Sequence, residues 1–240
     1  MPATPSESAT LSARRARILR RYWTQAVLFD LDDTLADRSA AVRRFASLFY
    51  ESLHSGYVRD EVVESIVSGD RGGYGSRQEM FESFDRRWPE SDLDFDQFVD
   101  MYETEILSAY SPDPRVTNLL DQIDQHGLPW GIVTNGNSFQ HRKVRRMGLE
   151  GRTPCVVVSD EFGHSKPEPE IFLEALRLIG QPDRTHVMFV GDNPEADIMG
   201  AKSLGMRTAW VHRGRDWPSE MAPPNHVIGH VEELGPILFA

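Results

Sequence analysis

Two aspartates follow a short apolar run near the start of the chain. Residues 27–29 are Val-Leu-Phe, Asp30 comes next, and Asp32 lies two residues further on. Short apolar runs bounded by polar residues are typical of buried parallel strands. Ligand sites in open α/β sheets lie beyond the carboxyl ends of such strands. We therefore expect both carboxylates at the mouth of a sheet, where a hard cation would offset the cost of burying them. From this segment alone, a helix cap or a turn is the alternative.

Three later segments also place polar residues beside an apolar run or a helix start. They are Thr134, Asn135 and Gly136 after a second run, Lys166 before a proline-started helix, and Asp192 with Asp197 after a third run. A hydroxyl and backbone N–H groups at a strand-to-helix junction suit an anion. An ammonium group could offset the charge of a carboxylate and a phosphate. Asp197 either orients Lys166 or a bound water, or simply suits the first turn of its helix.

This ordered set resembles the haloacid dehalogenase superfamily, and specifically its phosphatase branch, over residues 26–211. The resemblance implies a phosphomonoesterase in which Asp30 is the nucleophile and forms an aspartyl-phosphate. It implies that Asp32 is general acid and then general base, although a second metal ligand is the alternative role for this side chain. It also implies Mg²⁺ bound by Asp30, by Asp192 and by the backbone carbonyl of Asp32. Thr134, Asn135 and Lys166 would then bind the phosphoryl group.

The elements expected around these residues define a fold. The strands and helices alternate from residue 115 onwards, as βαβ units require. The predicted helices are residues 115–126, 138–147, 168–179 and 194–204, and the predicted strands after the first are residues 130–134, 155–158, 187–190 and 208–211. Between residues 37 and 111, four helical patterns lie between two breaks in the chain. We predict an α/β fold, a Rossmann-like doubly wound parallel sheet with an inserted four-helix cap. The expected division is a leader at residues 1–21, a core at 22–36 and 112–240, and a cap at 37–111.

Composition limits the function classes. The formal net charge of −11 argues against a nucleic-acid polymer as partner, whereas a small phosphorylated substrate is compatible with local positive charge. No apolar run approaches the roughly 20 residues that span a bilayer. The single cysteine, Cys155, heads an apolar run, so we expect a buried side chain and a reducing cytoplasm. The arginine-rich leader favours a flexible or helical segment over a targeting signal. A monomer or a homodimer is expected.

The cap contains a glycine-rich stretch, residues 69–77, with Tyr74 and Arg77. It lacks the pattern of a nucleotide-binding P-loop. We expect it to join two cap helices and to bring Tyr74 or Arg77 to the part of the substrate that carries no phosphate. A plain flexible connection is the alternative. The substrate would be a nucleoside 5′-monophosphate or a sugar phosphate.

Three other functions fit the same resemblance. Phosphomutase-type transfer uses all four motifs, although such members usually have glycine where Asp33 stands. Dehalogenation needs neither a metal nor a proton-donating second aspartate, so Asp32 and Asp192 argue against it. A catalytically idle binding module is disfavoured because every expected catalytic position is occupied, although a fold alone never establishes a function.

Overall fold

The computed structural model describes residues 24–53, 56–73, 75–89, 93–180 and 183–239. The expected leader at residues 1–21 and Tyr74 lie outside these ranges. The chain divides into two compact units. The core unit comprises the described residues up to 34 together with residues 114–137 and 153 onwards, and the cap unit comprises residues 35–113 and 138–152. The sequence placed residues 138–152 in the core, whereas the structure groups them with the cap helices.

A six-stranded sheet forms the centre of the core unit, and all of its neighbouring strands run parallel. The strands are β1 (Ala26–Phe29), β2 (Trp130–Thr134), β3 (Val156–Val158), β4 (Val187–Gly191), β5 (Arg207–Val211) and β6 (His226–Ile228). Their spatial order is β3-β2-β1-β4-β5-β6. Because the chain winds outward from β1 in both directions, this order confirms the predicted doubly wound sheet.

Helices lie between and after these strands in the core unit. They are α5 (Pro114–Gln125), α7 (Ser159–Phe162), α8 (Pro169–Leu178), α9 (Gly200–Ser203) and α10 (Leu234–Phe239). Helices α5 and α8 keep close to their expected bounds, whereas α7 was not predicted. Helix α8 begins at Pro169, one residue after the predicted start at Glu168, because proline suits the first helical position. Its residue Phe172 is fully buried and meets Phe189 of β4 edge to face, with ring centroids 5.0 Å apart.

The helical segment that follows β4 begins with a π-helical turn, which the sequence does not predict. A regular helix is expected from residue 194 to 204, but residues Pro194–Met199 form a π-helical turn before α9 begins. The backbone N–H groups of Asp197 and Ile198 both donate to the carbonyl of Asn193, at 3.1 and 3.3 Å. Such π-turns are frequent at functional sites, and this one contains Asp197.

The cap unit is helical. Its helices are α1 (Arg38–Ser52), α2 (Arg59–Asp70), α3 (Arg77–Arg87), α4 (Phe95–Ala109) and α6 (Phe139–Arg146). Local signals start three of them, because side chains of the N-cap residues Asp37, Ser76 and Asp94 accept hydrogen bonds from first-turn N–H groups. A three-residue 3₁₀ turn, Arg71–Gly73, follows α2 within the glycine-rich stretch.

Aromatic rings fill the interior of the cap unit. Phe45, Phe49, Phe84 and Phe98 are each at most 2% exposed. The Phe98 ring centroid lies 5.9 Å from that of Phe45 and 5.3 Å from that of Phe84, in edge-on arrangements. Such edge-on contacts are favourable beyond the area they bury. These rings form the cap core, so they are not available to a nucleobase. Among the described residues, no helix combines the length and apolarity that crossing a bilayer demands.

The contrast between two neighbours on α8 tests this account of the core unit. Phe172→Ala removes a fully buried ring and leaves a cavity, so we expect the free energy of unfolding to fall by about 3–5 kcal/mol. Leu173→Ala, a truncation of a side chain that is 43% exposed, should cost under about 1 kcal/mol. Urea unfolding measures both changes. Similar losses in the two variants would contradict the assignment of α8's buried face.

Candidate active site

Asp30 lies where the structure brings the carboxyl ends of three strands together. Strand β1 is hydrogen-bonded to β2 on one side and to β4 on the other. The Asp30 N–H donates to the carbonyl of Val190 on β4, at 2.9 Å. The side chain is only 7% exposed, because β1 is buried on both faces. The expected position of Asp30 at the mouth of the sheet is therefore the position observed.

The chain turns immediately after Asp30. Thr34 N–H donates to the carbonyl of Leu31, and Asp33 has a φ of +58°, in the left-handed region. Residues two apart on a regular strand point the same way, but this turn breaks that rule for Asp30 and Asp32. The Asp32 side chain is half-buried and is not one of the carboxylates that cluster around Asp30 in the described part of the chain. The other carboxylates of the described cluster therefore come from a later segment of the chain.

Lys166 forms the centre of a buried ion-pair network. Its Nζ lies 2.6 Å from Oδ1 of Asp30 and 2.8 Å from Oδ1 of Asp197. The side chains of Lys166 and Asp197 are each 2% exposed. Burial alone would lower the pKa of Lys166, but the charges of Asp197 and Asp30 outweigh it and raise this pKa above its usual value. The ammonium group is therefore charged across the physiological range.

Asn135 fixes the backbone of Lys166. The Asn135 side chain donates through Nδ2 to the Lys166 carbonyl at 2.9 Å and accepts from the Lys166 N–H through Oδ1 at 2.8 Å. The peptide bond that follows, Lys166–Pro167, is cis. A reciprocal pair of hydrogen bonds between one amide side chain and one residue's backbone leaves little freedom. Asn135 thus positions the ammonium that faces Asp30.

The loop after β4 supplies two further carboxylates. Asp197 Oδ2 accepts from the Asn193 N–H at 2.9 Å, while Asn193 Oδ1 accepts from the N–H groups of Glu195 and Ala196. The carboxylate of Asp197 lies so close to Gly191 that a Cβ there would be 2.3 Å from Oδ2. Glycine is therefore required at the end of β4. This contact places Asp197 beside the sheet, in the same network as Asp30.

Asp30, Asp192 and Asp197 offer oxygen atoms that all lie within 4.8 Å of one another. Burial and the charge of Asp197 together raise the pKa of Asp192 to about 7, although the charge of Arg215 opposes this shift. Burial likewise raises the pKa of Asp30 well above its usual value, although Lys166 opposes this shift. These three carboxylates face two cations, Lys166 and Arg215, so one negative charge in the cluster has no counterion among these groups. An all-oxygen donor set with surplus negative charge fits a hard divalent cation.

The segment after β2 was expected to present a hydroxyl and free N–H groups to an anion. Thr134 is 1% exposed, and its hydroxyl lies 3.4 Å from the carbonyl of Asn135. The Gly136 N–H is already engaged, because it donates to Ser159 Oγ at 2.9 Å. That expectation is therefore wrong for Gly136, whose N–H is used to tie the β2 and β3 loops together. Sequence spacing could not reveal Ser159 as its acceptor.

The predicted site residues separate into two groups in the structure. Those of the core unit, Asp30, Thr134, Lys166, Asp192 and Asp197, follow strand ends or adjoin a helix start, as expected. Arg77 lies in the cap unit at the first position of α3 and contacts Asp70 and Tyr102. The sequence analysis missed Arg215, which donates to Asp192 from the loop after β5. No motif marks that arginine.

Comparisons with known proteins agree with this geometry. Residues 27–211 match the family described as haloacid dehalogenase-like hydrolase. The chain is 32% identical to the glyceraldehyde 3-phosphate phosphatase of Methanopyrus kandleri over 84% of this chain and 88% of that protein. It is 29% identical to the N-acetylmuramic acid 6-phosphate phosphatase of Pseudomonas aeruginosa over 92% and 97%. The solved structure of the HAD-hydrolase YfnB from Bacillus subtilis, bound to magnesium, superposes with a TM-score of 0.72 at 25% identity, covering 91% of this chain and 100% of that one.

In the presence of EDTA, we expect the substitution Asp192→Asn to change the free energy of unfolding by an amount that depends on pH. Since the pKa of Asp192 is raised from 3.8 to about 7 on folding, the wild type loses stability as pH rises through that interval. Asparagine has no such charge. The variant should gain stability over the wild type between pH 4 and 7, by on the order of 2–4 kcal/mol, and the difference should level off above pH 7.

The measurement is the free energy of unfolding across this pH range. Asp60→Asn serves as the control because the Asp60 side chain is 91% exposed, and its difference from the wild type should stay small and flat. If the difference in free energy of unfolding between Asp192→Asn and the wild type also stayed constant with pH, burial would not raise the pKa of Asp192.

Proposed function

The chain belongs to the haloacid dehalogenase-like hydrolases, and we propose that this phosphoric monoester hydrolase acts on a small phosphorylated metabolite with Mg²⁺ and an aspartyl-phosphate intermediate. One observation carries the proposal. A buried aspartate, Asp30, faces a buried ammonium at 2.6 Å and two further carboxylates, in an arrangement with uncompensated negative charge. A carboxylate can attack a phosphate only when cations reduce the repulsion between them.

The cation site in this proposal uses Asp30, Asp192 and the backbone carbonyl of Asp32, and Asp197 lies beside it. The three clustered carboxylates support a divalent cation of the size and hardness of Mg²⁺. When bound, the cation would neutralise charge on the phosphoryl oxygens and on Asp30. Asp197 contributes through Lys166, since its Oδ1 lies 2.8 Å from that ammonium.

The first chemical step forms the intermediate. A carboxylate oxygen of Asp30 attacks phosphorus, and the bond from phosphorus to the substrate oxygen breaks. Asp32 donates a proton to the departing oxygen, so the leaving group is a neutral alcohol. In support of this role, the carboxylates that cluster in the described part of the chain are those of Asp30, Asp192 and Asp197, and Asp32 is not among them. Lys166 balances the charge of the phosphoryl group at the reacting centre.

The second step restores the enzyme. Asp32, now ionised, takes a proton from a water molecule that attacks phosphorus and breaks its bond to Asp30. Inorganic phosphate leaves and Asp30 is again a carboxylate. Thr134 and Lys166 would hold the phosphoryl group throughout. Asn135 acts on Lys166 through the two backbone hydrogen bonds and is better described as a positioning residue than as a phosphate ligand.

A sugar phosphate is the favoured substrate class, and a nucleoside 5′-monophosphate is the second candidate. The two relatives above are named for phosphatases of N-acetylmuramic acid 6-phosphate and glyceraldehyde 3-phosphate, both small phosphorylated carbon compounds. The proposal places the enzyme in the cytoplasm, in line with its single buried and unpaired Cys155. It treats the enzyme as a monomer or a homodimer.

Arg77 is the cap residue proposed to recognise the substrate. Its guanidinium lies 3.9 Å from the ring centroid of Tyr102 and 3.4 Å from Oδ1 of Asp70, and its side chain is 29% exposed. Asp70 already accepts from two nitrogens of Arg38 and from the Tyr102 hydroxyl. Burial alone would raise the pKa of Asp70, but the hydrogen bonds and charge of Arg38 lower it. The Asp70 charge is thus matched by Arg38, and Arg77 carries a surplus positive charge.

Substitutions of Asp30 and Asp32 should distinguish a loss of catalysis from a loss of cation binding. Asp30→Asn should abolish release of inorganic phosphate from every substrate, because the nucleophile is lost. Asp32→Asn should lower kcat by about 10²–10⁴-fold while Mg²⁺ affinity changes little, because only proton transfer is removed. Phosphate release from a panel of sugar and nucleotide phosphates, with Mg²⁺ and with EDTA, measures the first effect. Calorimetric titration with Mg²⁺ measures the second.

Two results would overturn the mechanism. Turnover that survives in EDTA would exclude the proposed cation. A large loss of Mg²⁺ affinity in Asp32→Asn would identify this side chain as a metal ligand.

Removing the surplus charge in the cap should change substrate preference. Arg77→Ala is expected to lower kcat/KM for the best substrate by about 10–100-fold, the size expected for one lost charge-assisted hydrogen bond. A generic ester such as p-nitrophenyl phosphate should be affected much less. Arg87→Ala is the matched control, since Arg87 also lies over an aromatic ring, that of Trp88, on the same helix. An unchanged substrate ranking in Arg77→Ala, with only a lower melting temperature, would assign Arg77 to cap stability.

A further inference from the structure

A turn after β5 carries two arginines that reach both acid-bearing loops of the core unit. This turn, residues 212–215, is His-Arg-Gly-Arg and is called the arginine turn below. Arg213 donates through Nε to the carbonyl of Asp33, in the loop after β1, at 2.8 Å. Arg215 donates through Nη2 to the carbonyl of Asp192, in the loop after β4, at 2.8 Å. One short turn therefore fixes the main chain of two separate loops.

The arginine turn is itself rigid. Arg213 and Gly214 both have left-handed backbone conformations, with φ of +49° and +76°. The Arg215 N–H closes the turn on the His212 carbonyl at 2.8 Å, and the Gly214 N–H donates to His212 Nδ1 at 2.9 Å. The His212 N–H donates to the carbonyl of Ile228 on β6. The turn is thus anchored to the sheet, so its arginines start from a fixed base.

Arg215 donates hydrogen bonds to two oxygen atoms of Asp192. Its Nη2 lies 2.8 Å from the Asp192 carbonyl oxygen and 2.8 Å from the carboxylate oxygen Oδ2. The same carbonyl also accepts from Trp210 Nε1 at 2.8 Å. Both lone pairs of that carbonyl are therefore used, and the carboxylate is held in one orientation. A carboxylate has two oxygens, so one can accept from Arg215 while the other faces a cation.

We propose that Arg215, on its anchored turn, is a positioning residue that holds Asp192 in the orientation needed to bind a divalent cation. The proposal rests on the cation site of the proposed function. Partners that hydrogen-bond to a ligating carboxylate orient it, and their loss typically costs 10–100-fold in metal affinity. Arg213 supports the same arrangement from the other side, because it fixes the loop that carries the first two aspartates.

Two physical effects of Arg215 oppose each other. Its positive charge repels a divalent cation, so charge alone predicts tighter cation binding when the arginine is removed. Its hydrogen bonds orient Asp192, so orientation alone predicts weaker binding. The Arg215 side chain is 49% exposed, and water therefore screens the repulsion, whereas the Asp192 side chain is 16% exposed and depends on its partners for orientation. Orientation is the stronger effect.

Direct cation binding in the absence of substrate tests the proposal. Mn²⁺ titrated into the full-length protein is followed by the EPR signal of the free ion, with Mg²⁺ as competitor. Arg215→Ala should raise the Kd for Mn²⁺ by about 10–100-fold. Arg215→Gln keeps an N–H donor without the charge and should recover part of the affinity. Arg177→Ala is the control, because Arg177 pairs with the carboxylate of Glu174 on the surface of the same unit, and it should bind Mn²⁺ as the wild type does.

The outcomes separate this proposal from the proposed function. Wild-type protein that binds Mn²⁺ and releases phosphate, together with weakened binding in Arg215→Ala at an unchanged melting temperature, supports both. Equal or tighter binding in Arg215→Ala and Arg215→Gln overturns the positioning role and leaves the phosphatase mechanism intact. Wild-type protein that hydrolyses phosphate esters but binds neither cation overturns both the cation site and the role of Arg215.

Discussion

The buried Lys166 ammonium is the interaction on which the site depends. Its Nζ is within hydrogen-bond distance of Asp30 and lies 2.8 Å from Asp197, and all three side chains are almost completely removed from water. A buried charge without a partner is too costly for a folded protein to keep, so each of these groups requires the others. Asp192 adds a further carboxylate that the ammonium does not neutralise. The protein thus folds around a cluster with more negative than positive charge, and in the proposed function a divalent cation balances it.

The order of the strands brings these groups together. Asp30 follows β1, and Asp192 follows β4. These strands are hydrogen-bonded neighbours even though 157 residues separate Phe29, the end of β1, from Val187, the start of β4. Parallel strands present their carboxyl ends at one edge, so residues that are remote in sequence become neighbours there. The π-turn after β4 then widens the helix enough for Asp197 to reach both Lys166 and the N–H of Asn193. The π-turn thus orients the Asp197 side chain towards these partners.

The cap unit contains a buried carboxylate of its own, that of Asp70, which is stabilised by hydrogen bonds and positive charge. Asp70 is 2% exposed, and Arg38, Tyr102 and Gly73 all donate to its carboxylate. Around this group the aromatic rings form a continuous apolar interior. Arg77 adds a second positive charge that Asp70 does not need, and aromatic stacking holds it in place. The cap therefore offers a fixed, partly exposed guanidinium on a rigid helical frame, which is the kind of group that recognises an anion.

Sequence alone determined the fold class, the strand positions and the identity of the acids and the lysine. Two local patterns can be recognised in the sequence itself. One is the alternation of apolar strands with helices, and the other is the occurrence of polar residues directly after strand ends. The helix after β4 was mispredicted because a π-turn keeps the composition of a regular helix. The Gly136 N–H was mispredicted because its acceptor, Ser159, lies on another loop.

Only the tertiary structure decided which carboxylates cluster together and which groups hold them. The sequence named Asp30, Asp32 and Asp192 for the metal, counting Asp32 through its backbone carbonyl, whereas the clustered side-chain oxygens are those of Asp30, Asp192 and Asp197. The hydrogen bonds of Asn135 to Lys166 and of Arg215 to Asp192 join loops that are distant in the chain. Such contacts arise from the three-dimensional approach of loops at one sheet edge, and no spacing within a single segment encodes them.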